Sequence, residues 1–118
     1  MKGVETYQET SITTQSKGRL VVMLYEGAIK FLKQAAKEIQ AGNPEAKGKL
    51  ICKAQDIISE LNTILDMEAG GEVAMNLRKL YLFMNRHLNQ ANIEQDTEKI
   101  KEVIELLEEL NQGWKAIS

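Results

Sequence analysis

Apolar residues recur at helical spacing in four stretches of the chain, and polar or glycine-containing segments separate those stretches. The first stretch runs from about Ser16, a suitable N-cap, to Gln40. It stops at Ala41-Gly42-Asn43-Pro44, where Gly42 suits a C-cap, Asn43 can cap the next helix and Pro44 can open it. The second stretch covers about Pro44–Met67 and gives way at Gly70-Gly71, a pair that readily supplies a left-handed turn. The third covers about Glu72–Ala91. Asp96 is placed to cap the fourth, which ends near Trp114–Ile117. Short connections between helices of this length favour antiparallel neighbours. The expected fold is all-α: an antiparallel four-helix bundle, residues 16–118, preceded by an irregular and flexible N-terminal arm, residues 1–15, whose main apolar residues are Tyr7 and Ile12.

On helical wheels the second and fourth helices carry ordinary core stripes, Leu50 to Leu65 and Ile100 to Trp114. The first helix is wider. Leu20, Val21, Leu24, Ala28, Phe31, Leu32, Ala35 and Ile39 make a core stripe, and Val22, Tyr25, Ile29 and Ala36 extend it to an arc of roughly 200°. The third helix has Val73, Ala74, Leu77, Leu80, Tyr81, Met84 and Leu88 facing inward. Met75 and Leu82, seven apart, share its opposite face. Apolar surface beyond the needs of a core marks a partner site or a self-association face. The residues singled out for partner binding are Val22, Tyr25, Ile29, Ile51, Met75 and Leu82, with Tyr7 and Ile12 as a displaceable cover. A homodimeric structural or adaptor bundle is the alternative.

Composition narrows the chemistry. The chain has 118 residues, 43 % hydrophobic and 27 % charged, with a net charge of −2, which suits one globular domain and not a disordered chain. No apolar run reaches the roughly 18–20 residues of a membrane span, and no signal-peptide pattern opens the chain, so the expectation is a cytosolic protein without membrane insertion. Near-neutral charge gives no reason to expect nucleic acid as partner. One cysteine, Cys52, excludes an internal disulfide framework and a multi-thiolate zinc site. One histidine, His87, preceded at three positions by Met84, excludes the Glu-x-x-His pairs of a di-metal bundle. Gly70-Gly71 lacks the longer glycine pattern and the lysine of a phosphate loop. The carboxylates of Glu105, Glu108 and Glu109 lie along a solvated helix face. No catalytic residue, metal or cofactor is expected, hence no enzyme. Lys30, Lys33 and Lys37 form a basic strip on the first helix, read as a solubilising face that could also steer an acidic partner.

The run Leu20-Val21-Val22-Met23-Leu24-Tyr25-Glu26-Gly27-Ala28-Ile29-Lys30-Phe31-Leu32 resembles the first-helix signature of the FliS family of flagellar secretion chaperones. Ala54 to Leu61 with Leu65-Asp66, Gly70 to Leu77 with Leu80-Tyr81, Gln90-Ala91-Asn92 with Asp96, and Leu107-x-x-Leu110 with Trp114 resemble its later elements in order. Tyr7 sits where the family carries an N-terminal tyrosine. Gln15-Ser16-Lys17-Gly18-Arg19 departs from the Ser/Thr-Pro-like segment that commonly opens the family's first helix. The resemblance implies a cytoplasmic export chaperone. Its partner would be the disordered C-terminal segment of flagellin, with the flagellar export apparatus or flagellar regulators as further partners. It also implies that the N-terminal region, Tyr7 included, covers the site when empty. Tyr81, Trp114 and Asn76 are expected to be structural.

Overall fold

The structure is a computed structural model that describes the backbone of residues 2–117 and the side chains of residues 17–117. Its elements are α1 (Lys2–Ala41), α2 (Pro44–Thr63), α3 (Met67–Glu94) and α4 (Thr97–Ile117). The turns between them are two or three residues long, so each helix reverses against the one before it. α1 lies beside α2 and α4, and α3 beside the same two, which places α1 and α3 on one diagonal and α2 and α4 on the other. The all-α antiparallel bundle expected from the hydrophobic pattern is the fold observed.

Each helix buries a seam, at alternating spacings of three and four on α1, α2 and α3 and with Val103 and Ile104 adjacent on α4. On α1 it is Tyr25, Ala28, Leu32 and Ala35. On α2 it is Lys47, Ile51, Ala54, Ile58 and Leu61; on α3 it is Ala74, Leu77, Tyr81, Met84, Leu88 and Ala91. On α4 it is Ile100, Val103, Ile104, Leu107 and Asn111. This spacing keeps one narrow stripe facing the bundle axis over several turns. Two polar residues sit at the ends of these seams. Lys47 is buried, and its ammonium donates to the carbonyl of Asn92 at 2.9 Å, near the end of α3. Asn111 is buried too, and its Oδ1 meets no donor. A polar strip sets the register of α2 against α3: Gln55 Nε2 donates to Asn89 Oδ1 at 2.7 Å and to the Asn85 carbonyl at 3.1 Å, and Asn85 Nδ2 donates to Ser59 Oγ at 3.1 Å.

Several boundaries follow the expectation. Pro44 opens α2, Gly42 takes the left-handed conformation at φ 77°, and Asp96 Oδ1 accepts from the backbone N–H groups of Glu98 and Lys99 at the start of α4. Asn43 does not cap α2 with its side chain; its amide donates to Glu38 at 2.8 Å instead. Others move. Ser16 lies within α1, whose backbone is helical from Lys2, and so does not mark the helix start. With no proline between residues 2 and 41, nothing removes a rung from the helical hydrogen-bond ladder. α2 ends at Thr63, and α3 begins at Met67, ahead of the glycine pair. Asp66 Oδ1 accepts from the Ala69 N–H at 3.0 Å and so caps one turn of helix before Gly71 breaks it. Gly71 stands at φ 52°, ψ −126°, the conformation of the first central residue of a type II′ turn.

Candidate functional site

An aromatic junction fills the bundle interior where the α1 seam begins. Tyr25 of α1 and Tyr81 of α3 meet across the diagonal with ring centroids 6.4 Å apart, and their hydroxyls hydrogen-bond to each other. The ring of Trp114, from α4, stands 6.4 Å from that of Tyr25. Burial pushes both phenol pKa values up. For Tyr25 the hydrogen bond with Tyr81 opposes the rise without cancelling it. For Tyr81 the hydrogen bond to Tyr25 adds to it. Tyr25 is therefore core and has no surface to offer a partner. The wheel counted it as surplus because it credited α1 with two neighbours, whereas a long aromatic side chain reaches the diagonal helix as well. Ile51 is likewise fully buried, on the seam of α2, so it too is no part of a surface in this arrangement. The structural roles expected of Tyr81 and Trp114 agree with this junction, Trp114 being half-buried against the core.

Two of the singled-out residues do stand in solvent. Met75 is 52 % exposed and Leu82 49 % exposed, on the outer face of α3. Phe83, which the sequence reading passed over, joins them at 39 % exposed. It lies one position beyond Leu82, about 100° further round the helix, on neither stripe the wheel defined. Its ring stacks on His87 at 5.0 Å, and His87 Nε2 lies 2.6 Å from Glu102 Oε2 of α4. Val22 and Ile29 on α1 are half-buried. The side chains of Tyr7 and Ile12 lie outside the described residues.

A second group of apolar residues gathers at one end of the bundle. Tyr25, Tyr81 and Trp114 mark one level, because their rings meet. With alternating helix directions, residues before Tyr25, before Tyr81 and after Trp114 all lie toward the end that holds the α2–α3 turn. There Leu20, Met23, Ile64, Val73 and Ile117 are all exposed. Leu20 and Val73 were assigned to core stripes. The seams of α1 and α3 begin only at Tyr25 and Ala74, so nothing covers those positions. Met75 continues this surface onto the back of α3.

The α1–α4 face differs in character. An open groove of about 560 Å³ runs between the two helices, with Ile29 and Asn111 in its lining. Two ion pairs cross from helix to helix there, Lys115–Glu26 at 3.3 Å and Lys33–Glu108 at 3.5 Å. All four partners are about half exposed, so each pair contributes under about 1 kcal/mol. Lys30 and Lys37 also line the groove and form no ion pair among the described residues.

Among the described residues no group of three or more His, Cys, Asp or Glu side chains could hold a metal ion, and no helix is long and apolar enough to cross a membrane. Cys52 is exposed and unbonded. The fold and its surface define a small helical bundle distinguished by uncovered apolar faces. The chain matches the family model described as Flagellar protein FliS over residues 1–118. It is 38 % identical to the Flagellar secretion chaperone FliS of Vibrio cholerae, over 99 % of this chain and 90 % of that protein. It is 39 % identical to the Flagellar secretion chaperone FliS of Salmonella typhimurium, over 98 % of this chain and 90 % of that protein. It is also 40 % identical to the Flagellar secretion chaperone FliSB of Pseudomonas aeruginosa, over 100 % of this chain and 97 % of that protein. The chain belongs to the FliS family of flagellar secretion chaperones.

Proposed function

We propose that this chain is a flagellar secretion chaperone. It acts in the bacterial cytosol, binds the disordered C-terminal segment of flagellin, prevents premature polymerisation and keeps the subunit competent for flagellar type III export. The observation that carries this reading is the match to the FliS family along the whole chain. The exposed apolar residues of the outer face of α3 and of the α2–α3 end of the bundle support it. A disordered client is ordered only on binding, so it requires many modest apolar contacts spread over a surface and not one deep pocket. Met75 suits such a surface because its unbranched side chain adapts to whatever packs on it. Val22, Ile29, Met75, Leu82 and Phe83 are the proposed contact residues. Tyr7 and Ile12, in the first fifteen residues, are the proposed cover that a client displaces. The flagellar export apparatus and flagellar regulators are further proposed partners.

Sedimentation with and without a flagellin C-terminal peptide tests the reading. A stoichiometric heterocomplex is expected; a dimer of this chain that ignores the peptide overturns it in favour of a structural homodimer. Leu82→Asp is expected to weaken peptide binding about tenfold, equivalent to about 1.4 kcal/mol, with the helical circular-dichroism signal unchanged. Full affinity in that variant would remove the outer face of α3 from the site.

A further inference from the structure

From the α1–α4 groove we infer a second docking site, for an extended acidic polypeptide segment, which shares only Ile29 with the proposed flagellin contacts and lies apart from the outer face of α3. Three observations converge on it. Four lysines and two glutamates line the groove, Lys30, Lys33, Lys37 and Lys115 against Glu26 and Glu108, so it is locally cationic on a chain whose net charge is −2. Both glutamates already have a lysine partner, which leaves Lys30 and Lys37 to attract an incoming anion. The third observation is Asn111, 4 % exposed in the groove lining, with an amide oxygen that accepts from nothing. A buried acceptor without a donor is costly to keep, and a docked backbone N–H relieves that cost. The terminal torsion of asparagine is soft, so a small rotation turns Oδ1 toward the groove mouth.

The spacing selects the occupant. Lys30 and Lys37 are seven residues apart on α1, which is roughly 10 Å along the helix axis. In a polyproline II chain, with three residues per turn and a rise of about 3.1 Å, every third side chain points the same way, about 9 Å from the last. Carboxylates at every third position of such a segment therefore reach both lysines, while its backbone supplies the N–H that Asn111 lacks. The two crossing ion pairs are solvent-exposed and so yield easily to a competing carboxylate. Nucleic acid fits the groove less well. The lining holds no arginine to fork onto phosphate and no aromatic ring to stack on a base.

Fluorescence anisotropy with a labelled short peptide carrying glutamate at every third position, at low ionic strength, tests the site in the full chain. The probes alongside it are the same peptide with glutamine for glutamate, a polyuridylate of similar length and vesicles containing anionic lipid. The glutamate peptide is expected to bind at least about tenfold tighter than the glutamine peptide. Lys30→Glu combined with Lys37→Glu is expected to abolish that preference, whereas Leu82→Asp, which disrupts the proposed flagellin surface, leaves it intact. Asn111→Leu keeps the seam filled; it is expected to weaken the peptide severalfold without altering the salt dependence, which a merely structural asparagine would not do. Three results overturn the inference: equal binding of the two peptides, no response to the double lysine reversal, or polyuridylate or vesicles bound as tightly as the glutamate peptide. Loss of the preference in Leu82→Asp alone would also overturn it, by merging the groove with the apolar face.

Discussion

Tyr25 and Tyr81 place two hydroxyls where no water reaches, and each depends on the other for its hydrogen bond. Removing one strands its partner, at about 1–3 kcal/mol for a buried unsatisfied group. Tyr25→Phe and Tyr81→Phe are each expected to lower the urea midpoint, and the double variant to cost less than the sum of the two. Strict additivity would dismiss the pair as a coupled unit. The same burial makes a pH prediction. Both phenols are held neutral in the folded chain, with pKa values above the ordinary value near 10 that the unfolded chain shows. Their contribution is complete below that value and is lost as pH rises beyond it. The urea midpoint should fall above about pH 10, with a shallower fall in the double phenylalanine variant.

At the scale of elements, the ends of the helices carry the sharpest expectations. Lys47 reaches from the first turns of α2 to the carbonyl of Asn92 near the end of α3, so it fastens two helices with one buried charge. Lys47→Met keeps the aliphatic stem and removes the donor; a loss of about 1.5–3 kcal/mol in denaturant unfolding is expected. The glycine pair divides its task. A Cβ on Gly70 would lie 2.6 Å from that of Ala74, a steric conflict, whereas a Cβ on Gly71 would meet nothing and suffer only from the positive φ. Gly71→Ala is expected to cost about 1–3 kcal/mol in thermal unfolding, through backbone strain alone. Much of this was legible in the sequence. Pro44, Gly42 and Asp96 act through local chemistry that needs no knowledge of neighbours, and the period of the apolar residues identified four helices. Asp66 escaped because two glycines advertise a turn more loudly than one carboxylate advertises a cap. Tyr25 and Ile51 escaped because a wheel shows which way a side chain points but not how many helices wait there. Val73 and Leu20 failed the other way: the wheel placed them inward, but they precede the buried seams that begin at Ala74 and Tyr25 and stay exposed.

At the scale of the whole molecule, the outer face of α3 and the α1–α4 groove differ in character, and salt should separate them. The proposed binding of flagellin through Met75 and Leu82 relies on apolar burial, so the affinity for a flagellin C-terminal peptide is expected to change little as ionic strength rises. Attraction of an acidic segment to Lys30 and Lys37 is screened over roughly 10 Å at 0.1 M salt and should fade. A salt titration of each complex by anisotropy checks this, and identical salt profiles would count against two distinct surfaces. The junction of Tyr25, Tyr81 and Trp114 offers a way to observe such events directly. Trp114 is the chain's one tryptophan, and α4 carries it against a ring of α1 that touches α3 in turn. The protein thus has a built-in optical gauge. Any step that shifts α4 against α1 changes the surroundings of a single indole, so its emission reports the bundle's internal alignment without an attached dye.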